Sequence, residues 1–199
     1  AEIAALIEVL EPVTSCIYVP DVLFSHISPT DTPAGILAVI KLPTEMTVKP
    51  VTSSCVVLEA VQDAGNLGTI LRTAAAAGIE TVFLSEGCAQ AWSPRVLRAA
   101  MGAHFLLSIY EKVNIAELLA DYQGVSVATS LDGARNLYEM NLRQPIAWLF
   151  GSEGHGLSDS TMALAQQKIM IPMAKGVESL NVAAAAAVCL FEERRQKLV

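Results

Sequence analysis

The sequence predicts an α/β fold, a mostly parallel sheet with flanking helices, and three observations predict it. Hydrophobic residues make up 53% of the 199 positions and charged residues 17%, enough apolar material for a buried core and too little charge for disorder. From residue 55 onward, short apolar runs recur, several of them rich in β-branched residues. Helical stretches separate most of these runs, and apolar strands that alternate with helices make a parallel sheet covered on both faces.

The first 42 residues stand outside this pattern. Residues 15–20 (SCIYVP) read as a short strand, Asp21 as the cap of a brief helix through Phe24 and Ser25, and 36–41 (ILAVIK) as a second strand after a polar turn. Two strands and scraps of helix cannot bury a core of their own. Residues 1–42 are therefore expected to be the C-terminal remnant of an upstream domain. Residues 43–54, with two prolines and little periodicity, read as a linker, and 55–199 as the main domain.

In that domain strands are expected at 55–61, 81–85, 104–110, 125–129, 146–150 and 168–172, and helices at 67–77, 94–101, 115–122 and 158–166. Ser93 before Pro94 is an N-cap signal, and Ser158 is another. A last helix is expected over about 180–197. Its apolar part, 182–191, holds five consecutive alanines and is stopped by Glu192, Glu193, Arg194 and Arg195. A bilayer span needs about 20 apolar residues, so this reads as a buried helix. No signal peptide or lipidation site is evident, and a cytoplasmic location is expected.

The net charge of −7 argues against a nucleic-acid partner unless a local basic patch exists. Lys41, Lys49, Arg72, Arg95, Arg98, Arg135 and Arg143 are the candidates for one. The four cysteines include no CxxC pair and no histidine at zinc-ligand spacing, so they read as reduced structural thiols, and no metal is expected.

In an open α/β sheet, ligands bind at loops leaving the carboxyl ends of the strands. Three such loops carry unusual residues: QDAGNLGTILRTAAAAG (62–78), FGSEGHGLS (150–158) and IPMAKGVESLNVAAAAA (171–187). Neither GxGxxG, GxxxxGK[ST] nor GxSxG is present, which removes the familiar dinucleotide, P-loop and nucleophile-elbow readings. Ser152 and His155 read as loop polarity rather than a nucleophile pair. Each glycine, arginine or asparagine alone is explained by turns, caps and helix packing. Together they suggest a site that holds an extended ligand through backbone groups and a phosphate through arginine.

NLGTILRTAAAAG, LFGSEGHGLS and IPMAKGVESLNVAAAAAVCLFE resemble, in order and separation, the three motifs of the SpoU (TrmH-type) RNA 2′-O-ribose methyltransferases. The resemblance covers about residues 55–195, and TPAGILAVIK before it is similar to the end of the substrate-binding domain upstream in many members. Alanine at position 64, where members often have proline, is a departure of mild expected effect.

The resemblance implies a C-terminal deep trefoil knot, a homodimer, and S-adenosylmethionine held largely by backbone groups of the last two loops. It assigns cofactor contacts to Thr129, Leu131, Gly151, Ile171 and Leu180, and catalysis to Arg72 with Asn66, Glu153, Ser179 and Asn181. It places the dimer surface on 182–191. A guanidinium stays charged, so Arg72 is expected to grip an RNA phosphate rather than act as base. Glu153 is expected to orient Arg72 or accept a proton, and Ser179 and Asn181 to fix their loop and partner Asn66. Ribosomal RNA is favoured over transfer RNA as substrate. The alternatives are a non-catalytic RNA-binding knot protein and an enzyme acting on a small phosphorylated molecule.

Overall fold

The computed structural model describes residues 2–30, 32–42, 51–130 and 135–198. The chain divides into two compact units, Ala1–Pro43 and Thr44–Val199. The first contains helices α1 (Glu2–Leu10) and α2 (Asp21–Ile27). Residues 15–20 and 36–41 are not strands. A strand exists only with a ladder partner, and these two segments do not pair; Ile17 and Val39 are 83% and 91% exposed. Pro20, not Asp21, occupies the N-cap of α2. Of the expected linker, residues 43–50 lie outside the described residues.

The second unit is a seven-stranded sheet in the order β3-β2-β1-β6-β4-β7-β5, parallel throughout. Its strands are β1 (Cys55–Leu58), β2 (Thr81–Leu84), β3 (Ser108–Tyr110), β4 (Val125–Thr129), β5 (Arg135–Asn136), β6 (Ile146–Phe150) and β7 (Gln167–Met170). Helices α3 (Ala64–Ala77), α4 (Pro94–Ala100), α5 (Ile115–Asp121), α6 (Asp159–Leu164) and α7 (Val182–Leu198) complete it. β1 and β6 are buried at every position, as the unbroken apolar runs require. Val56 and Leu58 face α3, α4 and α7, while Cys55 and Val57 face the other core, with Ile115 of α5 and Met162 of α6. This is the period-2 alternation of a strand, sandwiched between two helical layers.

Three details differ from the sequence reading. Residues 103–105 form a 3-10 turn and β3 starts only at Ser108. β5 has two polar residues, so no apolar run announced it; its edge position against β7 defines it. Glu192 and Glu193 do not leave the core but are 7% and 2% exposed. Glu193 accepts from Ser54 Oγ at 2.5 Å, from Lys197 Nζ at 2.5 Å and from the Trp148 indole N–H. Buried charge needs such partners, and these pin the end of α7 to the amino edge of the sheet.

The caps follow the sequence in part. Ser158 Oγ accepts from Thr161 N at 3.2 Å, and Asp63 Oδ1 from Asn66 N at 2.7 Å. Ser93 sits at the N-cap of α4 with Pro94 behind it, but its hydroxyl makes no capping bond.

Candidate active site

The three motif loops leave neighbouring strands. β6 lies beside both β1 and β4, and β4 lies beside β7. Ala128 of β4 is level with Leu149 of β6, and Thr129 with Ile169 of β7. Counting on from there, Gly151, Ser130 and Met170 sit at one level, with Ile171 one residue beyond. Thr129, Gly151 and Ile171 are thus brought to one carboxyl edge by register alone. Leu180 lies just before α7 and is 39% exposed, and Leu131 lies outside the described residues.

Asn66, in the first turn of α3, connects the three loops. Its Nδ2 donates to Glu153 Oε1 at 2.9 Å, and its Oδ1 accepts from Asn181 Nδ2 at 2.9 Å. Glu153 also receives the backbone amides of Asp63 on Oε1 at 3.3 Å and of Gln62 on Oε2 at 3.4 Å. Asn181 Oδ1 accepts from Ala183 N at 2.9 Å and Ala184 N at 3.3 Å, capping α7. One amide-to-carboxylate chain therefore ties residues far apart in sequence. Partial burial works against the charge on Glu153, but the bonds from Asn66, Asp63 and Gln62 outweigh it and hold its carboxyl below the usual range.

Arg72 and Ser179 stand outside this chain. α3 buries Leu67, Gly68, Ile70, Leu71, Ala74 and Ala77 and leaves Gly65, Thr69, Arg72 and Ala76 in solvent. That spacing is one helical stripe. Among the described residues neither Arg72 nor Ser179 makes a side-chain hydrogen bond or ion pair. The expectation that Glu153 orients Arg72 is not met, because both its oxygens serve Asn66 and the backbone. Ser179 likewise does not partner Asn66.

The loop after β6 explains its own glycines. A Cβ at Gly151 would stand 2.0 Å from the backbone carbon of Gly156. The loop closes there on itself, Ser152 N donating to Gly156 O at 3.0 Å and Gly156 N to Ser152 O at 2.9 Å. Ser152 Oγ accepts only the backbone N–H of His155, at 3.3 Å, so the two side chains form no nucleophile pair.

Sequence reasoning missed Glu59. Its carboxylate accepts from Ser158 N at 2.8 Å, Ser158 Oγ at 2.8 Å and Thr161 Oγ1 at 2.7 Å, joining the end of β1 to the start of α6. The available signal was an acidic residue directly after a fully buried strand.

The edge suits a ligand held by main-chain groups. Ala174 through Asn181 are exposed, and before the cap residue Asn181 the described backbone bond in that segment is Val177 N to Ala174 O at 3.2 Å. Two concavities lie away from this edge: one of about 450 Å³ is lined by Tyr138, Arg143 and Arg195 among others, another of about 170 Å³ by Ser54 and Glu193. The hydrogen-bonded chain of Asn66, Glu153 and Asn181 is what marks this edge as the candidate site.

The model of the SpoU rRNA Methylase family matches residues 53–191, which include all three loops and the Asn66–Glu153–Asn181 chain. The chain belongs to the SpoU rRNA methylase family. This SpoU-family chain is 44% identical over 144 residues to an uncharacterized tRNA/rRNA methyltransferase of Synechocystis, covering 71% of this chain and 53% of that protein. It is 36% identical over 190 residues to a protein of Bacillus subtilis named a 23S rRNA (guanosine(2553)-2′-O)-methyltransferase, covering 93% and 75%. The AdoMet-bound rRNA methyltransferase structure from Sinorhizobium meliloti superposes with a TM-score of 0.70 at 34% identity, covering 76% of this chain and 60% of that one. The chain spans about half the length of the first curated relative, 53%. No helix among the described residues is long and apolar enough to cross a membrane, and no group of three metal-ligating side chains occurs among them.

Proposed function

We propose that this chain transfers a methyl group from S-adenosylmethionine to a ribose 2′-hydroxyl in RNA, with ribosomal RNA favoured over transfer RNA. The observation that carries this is the Asn181–Asn66–Glu153 chain, which draws three sequence-distant loops of a SpoU methylase to one sheet edge. The backbone at Thr129, Gly151, Ile171 and Leu180 would hold the cofactor; the shared carboxyl edge of β4, β6 and β7 supports the first three, and the exposure of residues 174–181 supports Leu180. When bound, the cofactor supplies a sulfonium methyl that needs alignment more than activation.

The roles of the side chains follow from their bonding. Arg72 is exposed and unpaired, and its permanent charge suits a bidentate grip on a substrate phosphate and on charge developing at the attacking oxygen. Glu153 has both oxygens occupied and is held ionised, which makes it a positioning residue and a poor base. Asn66 and Asn181 fix the loops, and the exposed hydroxyl of Ser179 is available to substrate.

A homodimer through the outer face of α7 fits the surface that remains. Ala183, Ala186, Cys189 and Leu190 are spent in the chain's own core and Val188 packs against it, which narrows the expected dimer face to the exposed Ala184 and Phe191. A knot is supported by β7 lying between β4 and β5, both of which precede it in sequence. Residues 1–42 are read as part of a substrate-binding unit, in keeping with their separate compactness and exposed apolar side chains.

Calorimetric titration of S-adenosylhomocysteine, with labelled-methyl incorporation into ribosomal and transfer RNA, tests this reading. Arg72→Ala is expected to abolish incorporation and keep cofactor affinity. An equal loss of both would refute the role given to Arg72, and a folded chain that binds no cofactor would point to an RNA-binding module.

A further inference from the structure

Residues 87–110 contain no aspartate or glutamate, in a chain of net charge −7. The structure shows where this acid-free stretch lies. α4 crosses α3 at Gly68, where a Cβ would stand 2.4 Å from Ala99 Cβ and 2.8 Å from Val96 O. Gly68 falls between Asn66, held in the site, and Arg72, so α4 runs beside the candidate active site. α4 buries Val96 and Ala100 and leaves Arg95 and Arg98, one turn apart, exposed. Neither arginine is paired with an acid among the described residues.

The turn after α4 adds an aromatic group. His104 is buried, its Nε2 bonded to Ala91 O at 2.8 Å and its ring 4.8 Å from that of Trp92. Anchoring this residue inward turns its neighbours outward: Phe105 is 90% and Leu106 69% exposed, beside Met101 at 69%. Unpaired guanidinium groups next to a free-standing aromatic ring match the two things single-stranded RNA offers, phosphates and unstacked base faces.

We propose that the outer surface of α4 and the following turn is the track for the RNA strand flanking the modified nucleotide. Arg95 and Arg98 hold phosphates there, and Phe105 stacks on an unpaired base. This rests on the methyltransferase reading above, and it adds a second set of RNA contacts beyond Arg72. The charge favours RNA as the occupant: an acid-free face that carries two exposed arginines, in a chain of net charge −7, is complementary to a phosphate backbone.

Fluorescence anisotropy with a short labelled single-stranded RNA, over a range of salt concentrations and with the full chain, tests it. Arg95→Ala and Arg98→Ala are each expected to weaken binding about five- to tenfold and to lower the slope of log affinity against log salt by roughly 0.7. Phe105→Ala is expected to weaken it about tenfold with the slope unchanged. All three variants keep the melting temperature and the S-adenosylhomocysteine affinity. Wild-type RNA affinity in the three α4-face variants overturns the proposal. So does a change in subunit association by sedimentation with RNA affinity intact, which marks the face as a protein interface. Loss of cofactor binding by the wild-type chain would instead refute the methyltransferase reading, and the RNA arms would still decide this surface.

Discussion

Asn181→Asp separates two tasks that one side chain performs. Asn181 caps α7 through Oδ1 and donates to Asn66 through Nδ2. Aspartate caps as well as asparagine and sits favourably at a helix N-terminus, so the helix keeps its start. The donor, however, becomes an acceptor facing Asn66 Oδ1 across 2.9 Å. Turning the Asn66 amide over does not help, because its oxygen would then oppose Glu153 Oε1, now 2.9 Å from Nδ2. Either orientation satisfies one carboxylate and opposes the other. A lost hydrogen bond with an uncompensated acceptor costs about 1–3 kcal/mol when buried. Asn66 is half-buried and Asn181 exposed, so water reduces this to about 1–2 kcal/mol, or roughly a 5- to 30-fold loss. The cost falls on the unliganded fold, so the melting temperature should drop by a few degrees, and S-adenosylhomocysteine affinity measured by calorimetry should fall by up to the same factor because the displaced loop must be drawn back on binding. Asn181→Ala should lose both the donor and the cap, its stability falling by about 1 kcal/mol with the cap. An Asn181→Asp chain that binds cofactor and transfers methyl as well as wild type would show that the amide chain does not position the site.

Other consequences are open to measurement. Gly68→Ala puts a methyl 2.4 Å from Ala99 Cβ and 3.0 Å from Ala100 N; overpacking at this crossing should cost about 1–3 kcal/mol and lower the melting temperature by several degrees. Ala64→Pro should do the reverse. Ala64 is the first residue of α3, and Asp63 before it has φ −75° and ψ 121°, which a following proline accepts; the gain should be about 0.4–1 kcal/mol, and a lower melting temperature would contradict the geometry. Glu153→Gln tests the carboxylate by pH. Its folded carboxyl is held below the unfolded value near 4.5, so its stabilisation is complete above that value and is lost as pH falls through the folded one. The gap in melting temperature between wild type and variant should therefore close in acid, and a gap constant from neutral pH into acid would remove the charge-based account.

Much of the domain was legible because burial on both faces leaves a mark in one dimension. β4 and β6 match the expected 125–129 and 146–150, and α4 and α5 end within one residue of expectation. Residues 15–20 and 36–41 look the same in sequence yet are not strands, since apolar composition carries no information about a ladder partner. β5 escaped for the opposite reason: a neighbouring strand defines it, not its own two residues. Glu193 was misread because a carboxylate after an apolar run looks like a solvent boundary until Ser54, Trp148 and Lys197 are seen around it.

The sequence by itself determined the fold class, the family and the list of residues around the site, because periodicity and motif order are local properties of a chain. Only the tertiary structure decided how those residues divide. Asn66, Glu153 and Asn181 form one bonded chain because β1, β6 and β4 are adjacent in the sheet and β7 follows beside β4, a matter of strand order that no spacing reveals. Arg72 is left free because α3 turns that stripe outward when its other face enters the core. The division matters chemically, for the bonded residues are committed to holding the loops and the free arginine is the one with charge to spend on a substrate.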